Sequence, residues 1–154
     1  MVYKYSISIL VLILICFSCT DKTFDENSNS DIVIKTGTVC GWCTVNDTLT
    51  IVENDVRYVN YANCSNTGPS VKKSGKLTST ELNALLDLLD FEELKKLDMN
   101  SCNVCFDGCD DWILYKNGSQ THYLRFGIND TKLQPIQAFL DRLNSIKTQY
   151  STNN

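Results

Sequence analysis

The sequence is short of the residues on which many enzyme sites depend. It contains one histidine, His122, and two prolines, Pro69 and Pro135. A serine or cysteine hydrolase needs a base beside its nucleophile, and no such pair stands at a recognisable spacing around His122. We therefore predict no catalytic residues of this kind and interpret His122 as a surface or rim residue of an alternating strand.

Basic residues are also scarce and scattered. Lys and Arg number 14 against 18 Asp and Glu, which gives a formal net charge of −4. The densest basic pairs, Lys72-Lys73 and Lys95-Lys96, are not interleaved with aromatic residues as they are in nucleic-acid-binding surfaces. A mildly acidic chain repels phosphates, so we predict no nucleic-acid partner.

Long apolar segments are missing except at the start of the chain, where a largely apolar run extends from Ile7 to Phe17. A helix that spans a bilayer needs about 20 apolar residues, so this run is too short. Lys4 before the run and small Ser18 after it are typical of a secretory signal peptide. The sequence predicts a signal peptide at residues 1–18. The alternatives are an ordinary soluble secreted protein and an uncleaved anchor helix.

The segment Ile15-Cys16-Phe17-Ser18-Cys19 resembles the lipobox of bacterial lipoproteins, with Phe17 departing from the usual small or aliphatic residue as in relaxed lipoboxes of some Gram-negative outer-membrane lipoproteins. The resemblance implies that Cys19 is acylated, palmitate being a typical chain, and becomes the first residue of the mature protein. Thr20 stands where an aspartate would favour retention in the inner membrane. We therefore expect a lipid anchor in the outer membrane, with the domain on the periplasmic side or at the cell surface.

Residues 19–30 are predicted to form a lipidated, flexible tether, because they are polar and show no periodicity. An unstructured chain of this length reaches roughly 18 Å. Residues 31–150 have the size of a single domain.

Alternation of apolar and polar residues predicts strands at Ile32–Val39, Thr44–Val52 and Val56–Tyr61, the last two forming a hairpin. A polar loop, Asn63–Pro69, follows. Asn117-Gly118 between Trp112–Tyr115 and Thr121–Phe126 predicts a second hairpin with a two-residue turn.

Two segments have helical character. Thr78 and Glu81 form a capping box ahead of a leucine stripe, which a short helix at Phe91–Leu97 continues. Pro135 opens a second helix, with its apolar face at Ile136, Phe139, Leu140, Leu143 and Ile146. The order of elements predicts an α+β fold, an antiparallel sheet of about five or six strands packed on one face by two helices.

Six cysteines remain beyond the lipobox: Cys40, Cys43, Cys64, Cys102, Cys105 and Cys109. An even number in an exported domain indicates disulfides, because compartments outside the inner membrane are oxidising. Each bridge contributes about 2–4 kcal/mol. Six cysteines allow 15 connectivities, so spacing alone leaves the pairing open.

Two other uses of these cysteines stay open. Cys40-x-x-Cys43 and Cys102-x-x-Cys105 have the spacing of zinc knuckles, but the segment between them is far longer than the about 15–20 residues of a simple zinc ribbon. Cys40-Gly41-Trp42-Cys43 also resembles the active-site motif of thioredoxin-like proteins, although a strand and not a helix is predicted after it. We predict no metal and no cofactor.

Two groups of residues near these cysteines are also candidates for a role. Asp107, Asp110 and Asp111 cluster in a loop and have the oxygen ligands that calcium prefers, but they match no EF-hand loop, and we favour a solvated acidic loop. Trp42 and Trp112 lie beside cysteines and are expected to pack over disulfides.

Residues Thr36 to Ile146 are similar to small domains of bacterial lipoproteins that have no assigned activity. The shared elements are Cys40 to Cys43, Leu77-Thr78 with Glu81-Leu82, Asp111, the Asn117-Gly118 turn and the helix from Pro135. The proline and tyrosine usual after the second cysteine are replaced by Thr44-Val45. The resemblance implies an α+β fold and an extracytoplasmic location, and no activity.

The sequence thus favours a non-catalytic, lipid-anchored envelope module that binds another envelope protein or a small ligand through an open sheet face or edge. Its partners would be the bilayer, through acylated Cys19, and an envelope protein. The alternative is a thiol-disulfide exchange enzyme that uses Cys40 and Cys43.

Overall fold

In the part of the chain that the structure describes, six strands pair into one antiparallel sheet. A computed structural model describes residues 32–62, 70–127 and 130–152. The predicted signal peptide, the predicted tether and the predicted loop Asn63–Pro69, which contains Cys64, lie outside these ranges. The sheet order is β4-β3-β2-β1-β5-β6. The strands are β1 (Ile32–Cys40), β2 (Asp47–Val52), β3 (Asp55–Tyr61), β4 (Ser70–Lys76), β5 (Cys109–Asn117) and β6 (Gln120–Gly127).

The helices are α1 (Ser79–Leu86), α2 (Phe91–Lys96) and α3 (Gln137–Thr152), the last preceded by a 3₁₀ turn at Thr131–Ile136. The predicted α+β fold with an antiparallel sheet is confirmed. The segment at Phe91 is a separate helix because Asp90 caps it, accepting hydrogen bonds from the backbone N–H groups of Glu92 and Glu93. None of the helices in the described ranges is long and apolar enough to cross a membrane.

One hydrophobic core lies between the sheet and the helices. Alternate strand residues face the helices, since side chains one position apart point to opposite faces of a sheet. Phe139 of α3 is fully buried at the centre of this core. Its neighbours in the core include Ile34, Leu49, Ile51, Val56, Leu85, Leu94, Ile113, Leu124, Ile136, Leu143 and Ile146.

The capping box predicted before α1 is confirmed. The backbone N–H of Glu81 donates to the Thr78 hydroxyl at 3.2 Å, and the backbone N–H of Thr78 donates to the Glu81 carboxylate at 2.8 Å. Two otherwise unpaired donors are thus satisfied at the helix start. These hydrogen bonds lower the pKa of Glu81, because they favour its charged form.

Both predicted hairpins form, but some of the predicted boundaries are wrong. Asn117 pairs with Gln120, so the two-residue turn is Gly118-Ser119, and Gly118 supplies the positive φ of 57°. β2 begins at Asp47 and not at Thr44, because the chain turns first and the Cys40 N–H donates to the Val45 carbonyl. Pro135 lies inside the 3₁₀ turn and α3 starts after it.

The two edges of the sheet are protected in different ways. β4, a strand that the sequence did not predict, pairs with β3 from Asp55↔Lys76 to Tyr61↔Ser70 and carries three lysines. Charged side chains on an edge strand oppose pairing with other chains. At the other edge, residues 99–101 run beside β6, where the Arg125 N–H donates to the Met99 carbonyl at 3.0 Å.

Replacing Phe139 with alanine tests the core. We expect Phe139→Ala to lower the free energy of unfolding by about 3–5 kcal/mol, because it leaves a cavity at a fully buried position. Leu88, which is 41% exposed, is the matched control, and Leu88→Ala should stay within about 0.5 kcal/mol. Urea denaturation of both variants measures the difference. Equal losses of unfolding free energy in Phe139→Ala and Leu88→Ala would contradict the position of Phe139 in the core.

Candidate functional site

The five cysteines that the structure describes lie at one end of the sheet. β1 ends at Cys40 and β5 begins at Cys109, and these two residues are register partners. A 3₁₀ turn at Gly41–Cys43 follows β1, and another at Asn103–Phe106 precedes β5. We call residues 40–45 and 102–109 the disulfide end.

Disulfides hold this end together. Cys40 bonds to Cys109 across the two neighbouring strands, with 4.0 Å between their Cα atoms, and Cys102 bonds to Cys105. Cys43 is also disulfide-bonded. Its partner is none of the other four described cysteines, because these four pair with one another. The prediction that these cysteines form disulfides is confirmed for all five that the structure describes.

This pairing bears on both other uses of the cysteines. A zinc site needs thiolates, and the sulfurs of Cys40-x-x-Cys43 and Cys102-x-x-Cys105 are in disulfides. The exchange mechanism needs Cys40 and Cys43 to bond to each other, whereas Cys40 bonds to Cys109. No α-helix starts at this motif, so no helix dipole stabilises a thiolate there.

The carboxylate of Asp110 is buried beneath the disulfide end. It accepts hydrogen bonds from the Ser101 hydroxyl at 2.7 Å, from the backbone N–H of Asn103 at 3.0 Å and from that of Val104 at 3.2 Å. The Arg125 guanidinium lies 2.9 Å away. Burial acts to raise the pKa of Asp110, but the hydrogen bonds and Arg125 outweigh it and hold the pKa below its usual value.

The three aspartates of the predicted acidic loop do not converge. Asp110 is fully occupied by internal donors, and Asp111 accepts a hydrogen bond from the Thr38 hydroxyl at 2.5 Å on the opposite face of β5. Asp107 is exposed, with a positive φ of 61°. The described ranges contain no group of three or more His, Cys, Asp or Glu residues placed to hold a metal ion.

A second polar cluster joins α3 to the sheet. Buried Asp47 accepts hydrogen bonds from the Thr38 N–H at 2.8 Å and the Tyr58 hydroxyl at 3.3 Å, and it lies 3.4 Å from the Lys147 ammonium. Lys147 also donates to the Thr38 hydroxyl at 2.7 Å. Burial, followed by the nearby Asp47 charge and hydrogen bond, raises the pKa of Tyr58 to about 12.

A cavity of about 470 Å³ lies beside this cluster, between α3 and the ends of β5 and β6. Its lining mixes apolar side chains with polar ones, among them Phe126, Leu140, Asp111, Asp141 and Lys147. The charged side chains of the lining have partners within the protein: Lys147 pairs with Asp47, Asp111 accepts from Thr38 and Asp141 accepts from Gln137. His122 is remote from this lining and bonds to the Leu97 carbonyl at 2.9 Å, so it has a structural contact.

Two aromatic side chains of the disulfide end are almost fully exposed. Trp42 is 84% exposed, and the expectation that it packs over a disulfide is wrong. Trp112 packs instead against Tyr123, with 6.3 Å between ring centroids, and covers Gly37 on the neighbouring strand. Phe106, which the sequence analysis did not single out, is 88% exposed. The sequence feature that could have identified Phe106 is its position between Cys105 and Cys109.

No protein-family model matches the chain, and the comparison with curated proteins also finds no match.

An Asp110→Asn variant tests the buried carboxylate. At neutral pH we expect a loss of about 3 kcal/mol, the low end for breaking a buried ion pair, because Arg125 is 23% exposed. The lowered pKa means that the stabilisation is present above the unfolded pKa and is lost as pH falls through the folded one.

The difference in unfolding free energy between wild type and Asp110→Asn should therefore shrink as the pH is lowered from 5 towards 2. Denaturant melts across this range measure it, with exposed Asp98→Asn as the control. A difference that stays constant at every pH would contradict the assignment of Asp110.

Proposed function

We propose that the protein is a non-catalytic module, anchored to the outer membrane by lipid on Cys19, that binds another envelope protein. The observation that carries the proposal is the disulfide end, where all five described cysteines are bonded. Disulfides persist in oxidising compartments beyond the inner membrane. This agrees with the lipobox-like sequence at Ile15–Cys19.

The state of the polar groups supports a binding role over catalysis. Catalytic acids and bases need access to a substrate, but the carboxylates of Asp47 and Asp110 are buried and engaged by internal donors. Lys147 is engaged by Asp47 and Thr38. What these clusters do is fix the positions of strands, turns and α3 relative to one another.

The second candidate function remains thiol-disulfide exchange, but with a different cysteine pair. Cys102 and Cys105 form an exposed disulfide with Cys-x-x-Cys spacing, which is the observation in its favour. The charged residues nearest in sequence, Asp98 and Asp107, are acidic, and a neighbouring carboxylate disfavours the thiolate. We therefore rank exchange below binding.

Stepwise reduction separates the two functions. We expect the mature protein to have no free thiol and Cys102–Cys105 to open first, because both cysteines are exposed, whereas Cys40 is 4% exposed. Peptide mapping after mild reduction and alkylation measures this order. The same mapping should place Cys43 with Cys64, the cysteine outside both the lipobox and the two observed bridges.

The binding proposal also requires that the wild-type protein does not reduce insulin. Insulin reductase activity that disappears in a Cys102→Ser variant would establish the exchange function instead.

Fatty-acid labelling tests the anchor. We expect Cys19→Ala to abolish incorporation of a palmitate probe and to move the protein from the detergent phase to the aqueous phase. Cys16→Ala is the matched control, because Cys16 lies within the predicted signal peptide and its loss should leave labelling intact. Equal labelling of Cys19→Ala and wild type would refute the anchor.

A further inference from the structure

We infer that Trp42, Val45 and Phe106, which we call the aromatic tip, form the docking surface for a protein partner with an apolar pocket surrounded by Lys and Arg. The inference rests on the proposed function in assuming a binding module. Beyond that function, it identifies the surface that binds and the chemistry of the partner.

The exposed apolar side chains are concentrated at this end. Three of the six large hydrophobic side chains that are exposed in the described residues belong to the tip, where Trp42 is 84% and Phe106 88% exposed. Of the others, Val71 and Tyr123 lie on β4 and β6, and Leu88 lies in the turn after α1. Single exposed hydrophobic residues are ordinary, but a group of them that includes two aromatics is typical of an interaction site.

The turns that carry the tip are fixed in place. The Gly41 N–H donates to the Gly108 carbonyl at 2.8 Å, which joins the two turns directly. The three disulfide-bonded positions Cys40, Cys43 and Cys105 flank Trp42 and Phe106 in the sequence, and Asp110 holds the backbone of the second turn. An aromatic side chain on a rigid turn loses little conformational entropy on binding.

The backbone at the tip is unfavourable for the residues that occupy it. Trp42 and Cys43 have positive φ angles of 55° and 59°, and Asp107 has 61°. A non-glycine residue in this region costs on the order of 1 kcal/mol or more. Because Trp42 is 84% exposed, its ring recovers little of that cost by packing within the chain. Contact with another molecule explains why a tryptophan occupies this position.

The charge around the tip selects the partner. Residues 36–56 and 97–115 contain no Lys or Arg. Of their aspartates, Asp47 and Asp110 are buried and paired with Lys147 and Arg125, so they add little charge at the surface. Asp107, next to Phe106, is exposed. Negative charge is complementary to a basic rim on a protein and is repelled by an anionic lipid surface. Two copies meeting tip to tip would bring like charges together, which disfavours a dimer through this surface.

The position of the tip also disfavours the membrane that would carry the anchor. β1 is nine residues long, and a strand rises about 3.3 Å per residue, so its first and last residues are about 26 Å apart. The predicted tether joins β1 at Ile32, whereas the tip follows Cys40. The aromatic side chains therefore lie at the end of the domain remote from its attachment.

Site-specific photocrosslinking locates the partner. A benzophenone amino acid replaces Trp42 or Phe106 in the full-length chain, which is expressed in its native host. Val71 is the control, because it is 57% exposed on the edge strand β4, three positions along the sheet from β1. We expect both tip positions to crosslink to one protein and position 71 not to do so. Four outcomes would overturn the inference. They are crosslinks to lipid alone, crosslinks to a second copy of this chain alone, equal crosslinking from position 71, and no crosslink at all.

Binding of the purified, identified partner then gives the decisive measurement. Trp42→Asn introduces a residue that tolerates positive φ, so we expect the melting temperature to stay unchanged. Kd should rise at least about 30-fold, as for a binding hot spot. Phe106→Ser should act similarly and Val71→Ser should leave Kd unchanged. Asp107→Asn should reduce the salt dependence of the association rate.

Unchanged affinity in both tip variants would refute the docking surface even if the crosslink forms. The two proposals also fail separately. Palmitate labelling that persists in Cys19→Ala, or insulin reductase activity, would refute the proposed function, whereas crosslinking and Kd test the tip alone.

Discussion

The buried carboxylate of Asp110 is the interaction on which the disulfide end depends. Its four hydrogen-bonding partners come from the segment before β5 and from β6, so one side chain joins residues 101–104 to the sheet. Without a charged acceptor there, two backbone N–H groups and Arg125 would lose their partners in a buried place, where an unmade hydrogen bond costs about 1–3 kcal/mol. The turn that presents Phe106 is therefore defined by electrostatics beneath it, and not by packing of the ring itself.

The Asp47 cluster performs the corresponding task on the helix-covered face. Asp47 takes the place of a backbone acceptor for Thr38 and also binds Lys147 of α3, so it links β1, β2 and the helix. Tyr58 must stay neutral in this arrangement, because burial and the adjacent carboxylate both oppose a phenolate. Its raised pKa means that this stabilisation is present below the unfolded value near 10 and is lost as pH rises through about 12.

Local chemistry made part of the fold predictable from sequence. The capping box at Thr78 and the hairpin around Gly118 depend on residues close together in the chain, and both form as expected. β4 was missed because its polar residues give no alternation, and backbone pairing with β3 defines it. The disulfide pairing and the exposure of Trp42 follow from strand register and tertiary contacts, which spacing does not reveal. Asp110 and Asp111 look alike in sequence, yet the pleat of β5 sends them to opposite faces.

The two observed disulfides differ in what they contribute. Cys40–Cys109 spans 69 residues, and in the chain-entropy account closing a loop of that size stabilises the fold by about 4 kcal/mol. Cys102–Cys105 spans 3 residues, for which the same account gives only about 2 kcal/mol. The short bridge therefore acts chiefly on local shape, fixing the turn next to Phe106, while the long bridge and Asp110 secure that turn to the sheet. The long bridge therefore serves both the stability of the fold and the shape of the disulfide end, whereas the short bridge serves chiefly the shape of the turn that carries Phe106.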